Sequence, residues 1–504
     1  MNRRKQISMG VVLSYISIIV KLATGILYTP IMLSSLGQSQ YGVYSLCVSF
    51  IGYLTILNAG VNAAYVRFYV QEKTINEKGV QKLNGLFCKI FIVLSIIGLL
   101  GGLLVAAFSP VIFGSKITPD EYALVTKCFV LLAFTISIEI FTCVFNSFVI
   151  ANEQFIFGKT IDILASVLYP LLALPLLLTG HDCTYLIAVR LIVAIVTLLF
   201  YVSFSRKKLF IAFKFAHTEK LMLKNVVQFI GFIALQSIMD QLNWQIDKFI
   251  LARTHGTAEI SIYSVGSTFN SYFITIAGVV SGVFIVQINR LVALKDENRL
   301  NGLFRQTCRF FTYITGFIII AFYIFGRPFV LRWAGESYGK SFTVAWLLMS
   351  PVAIALIMAL GQDIARAKNM HQTQIIINVG VCIVNAIVSI PLAIRWGAIG
   401  SAIGTFAAEI ITCVIVQPIY YKRVLNLDVK KVFIDLLRYL PGIVLPIIFG
   451  AIVHYFGLIK NNYSSVAFYG IIFAFVYVIS VWTVSMNSID RTMVKNFIKN
   501  KLQR

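Results

Sequence analysis

The chain is 504 residues long, 59% hydrophobic and only 12% charged, with a formal net charge of +23. Such a composition, with a mean hydropathy of +0.85, excludes a soluble globular domain, in which about a quarter of the residues are charged. The apolar runs are continuous rather than alternating over segments of about 10 residues, which excludes a transmembrane β-barrel and leaves an all-α integral membrane protein.

A helix needs about 20 apolar residues to cross a hydrocarbon core of roughly 30 Å. On that measure the runs predict fourteen spans, at residues 10–33, 42–65, 85–108, 122–149, 159–178, 185–203, 226–251, 260–288, 310–330, 341–361, 375–394, 397–420, 439–456 and 466–485. Met1 to Lys5 resembles the basic start of a secretory signal. The apolar run that follows exceeds the roughly 7 to 15 residues of a signal core and has no small-residue cleavage site, so it is expected to be the first helix.

Two stretches 219 residues apart read as copies of one another, pairing Ile19 with Ile238, Ile31 with Ile250, Gly37 with Gly256, Tyr44 with Tyr263, Ser45 with Ser264, Phe50 with Phe269 and Tyr53 with Tyr272. The same offset sets Lys21 against Asp240 and Arg190 against Glu409. Six spans separate equivalent points, which predicts two six-helix lobes related by a pseudo-two-fold axis, with two helices appended. The expected organisation is an N-lobe over residues 1–203, a basic cytoplasmic linker over 204–225, a C-lobe over 226–420, and spans 13 and 14 with a basic tail over 421–504.

Counting connections alternately from the N-terminus places 31 of the 43 Lys and Arg on one side, 8 on the other and four inside spans. Cationic connections stay cytoplasmic, so both termini are expected in the cytoplasm and the chain in the cell inner or plasma membrane. The net charge of +23 then reflects topology and attraction to anionic membrane lipids, not nucleic-acid binding. Seven of the eight cysteines fall in or beside spans or on the cytoplasmic side, leaving Cys183 alone in an external loop. Neither a disulfide framework nor a metal signature is expected, and no cofactor. The outward connections are short, the longest being about residues 109–121, and the chain carries no P-loop, HExxH or GxSxG. That argues for binding and translocation rather than catalysis.

Particular motifs sharpen this reading. Residues 14–70 place Pro30 and Leu36-Gly37 at the end of the first helix, Tyr41-Gly42-Val43-Tyr44 at the start of the second, and a Gly- and Asn-rich stretch ahead of Arg67. The seventh span carries Gln245-Ile-Asp247-Lys-Phe-Ile-Leu251, the eighth starts with Tyr263-Ser264, and the turn Ala151-Asn-Glu-Gln-Phe155 follows the fourth. In these features the chain resembles the bacterial polysaccharide flippases, the Wzx-type exporters of O-antigen and other lipid-linked oligosaccharides. Their superfamily also holds multidrug exporters and the lipid II flippase. The resemblance implies a V-shaped, two-lobed bundle moving an undecaprenyl-diphosphate-linked oligosaccharide to the outer leaflet by alternating access; the acids within spans raise H⁺ or Na⁺ as a coupling ion.

A diphosphate and its sugars cannot cross hydrocarbon unaided, so the carrier needs a cation-lined cavity. Lys21 lies near the centre of the first span, too deep to snorkel, where an uncompensated charge costs about 2.5–3.5 kcal/mol. It reads either as a diphosphate contact or as half of an ion pair between helices. Arg190 is the second cationic candidate, with snorkelling as its alternative. Arg67, at the inner end of span two, is placed to meet entering substrate or to anchor the span. Asp240, Glu409 and Glu139 are acids within spans, expected to couple an ion or to form an interlobe pair, while Asp162 is expected at the inner interface. Asp247 and Lys248 form a helix-end pair or, by the resemblance, act in gating. Two alternatives remain. A multidrug cation exporter would carry an acidic rather than a basic first helix, and a membrane glycosyltransferase or polysaccharide polymerase would need a catalytic loop.

Overall fold

The computed structural model describes residues 3–75, 77–215, 220–281, 284–368, 370 and 372–502. Within these, side chains are described except at 3–5, 7, 53–59, 75, 77, 78, 220–222, 225, 227, 229, 232–240, 279–281, 286, 372, 375, 494 and 497–502. All regular elements among the described residues are helical. They are α1 (Arg3–Ile75), α2 (Glu77–Ala107), α3 (Ser109–Phe113), α4 (Pro119–Ala151), α5 (Phe155–Leu178), α6 (Cys183–Lys207), α7 (Lys220–Thr254), α8 (Thr257–Ser281) and α9 (Ile285–Ala293). There follow α10 (Glu297–Ala334), α11 (Gly339–Ile357), α12 (Ala359–Ala367), α13 (Gln372–Ile411), α14 (Gln417–Arg423), α15 (Val429–Tyr455), α16 (Tyr463–Ser480) and α17 (Ser488–Leu502). Short π-helical segments join α13 to α14 and extend α16.

Among the described residues ten helices are long and apolar enough to cross a membrane, and the protein is a multi-pass membrane protein. Two of the ten, Ser8–Gly52 and Ile376–Arg423, have 45 and 48 residues, about twice what one crossing needs. Each contains one residue that leaves helical geometry, Gly37 (φ 69°) in α1 and Gly397 (φ 57°) in α13. The sequence leads one to expect a separate connection over residues 34–41. Instead the helix continues on both sides of a reversal made by one residue in the left-handed region, which glycine enters without a Cβ penalty.

The reversals form a pattern. The seven glycines with positive φ among the described residues, Gly37, Gly114, Gly180, Gly256, Gly335, Gly397 and Gly457, each fall at the junction of an odd-numbered predicted span and the next. The four non-glycine residues with positive φ, Glu153, Phe210, Lys295 and Asn426, each fall at the junction of an even-numbered span and the next. Gly37 and Gly256 are one of the residue pairs matched at the 219-residue offset.

The chain folds into two compact units, one of residues 1–264 with 390–401, the other of residues 265–389 with 402–504. In the first, α1 packs against α4, α5 and α7, α2 against α4, and α4 against α6. Phe50 meets Phe129 and Phe249 edge-on at 4.8 and 4.7 Å, joining α1, α4 and α7. Ser45 donates to Ser264 at 2.5 Å, so two residues matched by the repeat touch one another in a buried pair. Residues 390–401 belong to this unit because the Ala398 amide donates to Glu259 at 2.7 Å and the Ser401 hydroxyl donates to Asp247 at 2.5 Å.

The second unit has two buried clusters, one around Phe304, Ile364 and Tyr421 and one around Phe473, Tyr477 and Tyr439. Its terminal helix α17 is tied down by charge. Asp490, fully buried, accepts two hydrogen bonds from Arg309 at 2.8 and 2.9 Å and one from Tyr313 at 3.1 Å. Arg305 and Arg309 also bind Asp435 on α15.

Candidate functional site

Within the first unit a cavity of about 530 Å³ opens among α1, α4, α5 and α6. Its walls bring together Lys21, Glu139, Asp162 and Arg190, with Tyr169 and Tyr201 between them. Helical spacing explains the convergence on α5, where Asp162, Ser166 and Tyr169 lie at i, i+4 and i+7 on one face. Lys21 stands 16 residues before Gly37, about 24 Å along α1 at 1.5 Å per residue, which places it deep in the span.

The charges are unevenly compensated. Arg190 reaches Glu139 through Nη2 at 3.3 Å and Nε at 3.4 Å, with the two side chains 31% and 27% exposed. Lys159 reaches Asp162 at 3.2 Å, one turn apart on α5. Lys21 is exposed to the cavity and has no ion-pair partner among the described residues. Among those residues, the cavity wall carries the Arg190–Glu139 pair, Asp162 with its partner Lys159 beyond the wall, and Lys21 without an ion pair. That surface attracts a mobile anion without trapping it.

Several expectations change on contact with this geometry. Arg190, expected either in a cavity or snorkelling, lines the cavity and is paired with Glu139 on α4. Asp162, expected at the interface, lines the cavity. Asp240 lies in α7 but its side chain falls outside the described residues, and so does its relation to Lys21. Glu409 is half-buried in the second unit, one turn ahead of the π-helical segment Thr412–Val416, near Cys413 at 3.9 Å. Arg67 is exposed on the second half of α1. Asp247 is fully buried and accepts from Tyr263 at 2.6 Å and from Ser401 at 2.5 Å, partners that the helix-end reading did not foresee, while the adjacent Lys248 is half-buried. A carboxylate so placed is held by two hydroxyl donors. Cys183 is not alone: it opens α6, is buried, and sits 3.8 Å from Cys128.

One group absent from the sequence expectations closes the outward-predicted end of this unit. Glu121 receives hydrogen bonds from Ser39 at 2.5 Å, from Thr257, and from the Thr118 amide at 2.8 Å. It thus joins the turn after the first span to the turn after the seventh. The sequence signal was available, since Thr118-Pro-Asp-Glu121 has the T-x-x-E form of a capping box, and the box is present.

The described residues thus form a multi-pass helical membrane bundle with a cavity lined by charged side chains. Solved structures share the fold. The inward-closed lipid II flippase MurJ superposes with a TM-score of 0.69 at 15% identity, covering 94% of this chain and 97% of that one. An inward-facing multidrug resistance MATE family transporter of the MOP superfamily gives 0.65 at 14% identity over 82% and 99%. A MATE transporter of Vibrio cholerae gives 0.57 at 14% over 84% and 99%. No curated protein sequence matches the chain. The family model described as polysaccharide biosynthesis protein matches residues 35–343, more than half of the 504, and the chain belongs to that family.

Proposed function

We propose that the protein is a flippase that carries undecaprenyl-diphosphate-linked oligosaccharides across the cytoplasmic membrane by alternating access, for cell-surface polysaccharide synthesis. The observation that carries the reading is Lys21, an ammonium at depth with no ion-pair partner among the described residues, in a cavity whose other charges are balanced pairs. Its natural ligand is a compact anion such as a diphosphate, and membership of the polysaccharide biosynthesis family supplies the context. Arg190 and Arg67 would assist, Arg190 by exchanging Glu139 for phosphate and Arg67 at the cytoplasmic entry.

On this reading the chain crosses the membrane fourteen times with both termini inside, its lobes being residues 1–203 and 226–420. The alternation of glycine and non-glycine reversals supports the count, and the Ser45–Ser264 hydrogen bond supports a two-fold axis, since a residue touches its own repeat mate only near such an axis. Asp240, Glu409 and Glu139 are our candidates for H⁺ or Na⁺ coupling, and Asp247 with Lys248 for gating.

The multidrug exporter remains as a second reading because MATE transporters share the fold. A cationic drug would be repelled by Lys21. The two part in a simple experiment. Deleting the gene should abolish the surface polysaccharide and accumulate its lipid-linked precursor inside. Unchanged polysaccharide, together with new sensitivity to cationic drugs, would favour the exporter. For coupling, Asp240→Asn should bind substrate yet transport without regard to an imposed H⁺ or Na⁺ gradient. Gradient dependence equal to that of the parent removes Asp240 from this role.

A further inference from the structure

Beside the cavity three tyrosines converge. Tyr44 and Tyr169 join their hydroxyls at 2.9 Å, and the Tyr28 ring meets Tyr169 edge-on at 5.8 Å. Tyr169 itself lines the cavity with Lys21 and Arg190. Tyr28 lies seven residues beyond Lys21 on α1, on the same face and about 10 Å along the axis. The Tyr28 hydroxyl is buried, its residue only 8% exposed, with the Tyr169 hydroxyl as its polar neighbour but no well-formed hydrogen bond among the described residues.

An orphaned buried hydroxyl is unfavourable, and phenylalanine would fill the same space without that cost. The repeat makes the point sharper. At the 219-residue offset Tyr28 corresponds to Asp247 and Tyr44 to Tyr263. There the corresponding pair is closed, with Tyr263 donating to Asp247 at 2.6 Å and Ser401 completing the set. In the first copy the corresponding position is left open, next to the cavity that Lys21 lines. The second copy is a saturated lock, and the first has the form of a recognition site short of its ligand.

We propose that Tyr28, Tyr44 and Tyr169 form the subsite that recognises the sugar next to the diphosphate, an inference that rests on the flippase reading. Phenol faces pack against the C–H face of a pyranose, and phenol hydroxyls both donate to and accept from sugar hydroxyls. With the diphosphate at Lys21, the first sugar reaches two turns along α1 to Tyr28. A cavity of about 530 Å³ lies within the roughly 300–1,000 Å³ of small-ligand sites. The subsite gives the carrier a means to reject an undecaprenyl diphosphate that bears no glycan.

Two probes test this with full-length protein in nanodiscs: the lipid-linked oligosaccharide extracted from the producing cells, and undecaprenyl diphosphate alone. The parent should bind the glycan-bearing probe at least tenfold more tightly. Tyr28→Phe and Tyr169→Phe should each weaken that probe by about tenfold, the worth of one hydrogen bond, and leave the bare diphosphate unchanged. Lys21→Ala should weaken both. Tyr28→Phe should also be at least as thermostable as the parent without ligand, whereas a structural hydroxyl would lower the midpoint. Tyr28→Phe and Tyr169→Phe proteins that keep the parental preference for the glycan overturn the subsite while the flippase reading stands. A parent protein that binds neither probe overturns the flippase reading and the subsite with it.

Discussion

At the scale of single residues, the cavity sets paired against unpaired charge. Arg190 and Glu139 are about one-third exposed, so their attraction is partly screened and neither is locked. Removing one partner leaves a lone charge in a half-buried site. Arg190→Ala or Glu139→Ala alone should cost about 1–3 kcal/mol, less than the roughly 3–5 kcal/mol of a fully buried broken pair. The double variant should recover most of that loss, because no stranded charge remains. Thermal unfolding in detergent measures it, and a double variant as unstable as the sum of the singles would mean the two groups are not a pair. Lys21 was legible in the sequence as an ionisable residue in an apolar run. Its cavity neighbours were not, because the periodicity of one helix does not say which face of another it meets. For the same reason the ion pair of Arg190 with Glu139, made where α4 packs on α6, was not legible. The aromatic residues were too numerous, 40 Phe and 23 Tyr, for spacing alone to single out Tyr28, Tyr44 and Tyr169.

At the scale of elements, the turns carry most of the specification. Gly37 and Gly256 hold the left-handed conformation at matched positions, yet their surroundings differ. A Cβ at Gly37 meets nothing within 4 Å, whereas one at Gly256 falls 2.7 Å from the Lys116 carbonyl oxygen. Gly37→Ala should therefore cost only the conformational penalty, about 1–2 kcal/mol. Gly256→Ala should cost distinctly more, since backbone must also shift. Equal midpoints for the two variants would contradict the assigned turn geometry. The Glu121 clasp sits between these turns, through Ser39 and Thr257. A disulfide trapped between Ser39→Cys and Thr257→Cys should halt transport and release it on reduction. Transport by the oxidised protein at the parental rate would show that this end does not open. The apolar runs located helices but not their ends: α10, 38 residues long and so about 57 Å, begins at Glu297, well ahead of the span expected at 310–330. Apolar runs report the membrane core and are blind to the amphipathic turns beyond it.

At the scale of the whole molecule, the proposal is fourteen crossings with a cytoplasmic face bearing most of the Lys and Arg. Reporter fusions after Lys116, Gly180, Gly335 and Gly457 should report the outside, and fusions after Glu153, Lys295 and Asn426 the inside. A single fusion on the wrong side would break the alternation that the reversals describe. On the proposed mechanism, Lys21 carries the diphosphate of a lipid-linked glycan through the bilayer. The most direct measurement reconstitutes the protein into liposomes loaded with lipid-linked oligosaccharide on one leaflet and follows its appearance on the other. The parent should translocate it, Lys21→Arg should do so at a reduced rate because the charge survives while the compact ammonium does not, and Lys21→Ala should fall to the rate of empty liposomes. Translocation by Lys21→Ala at the parental rate would contradict this role for Lys21.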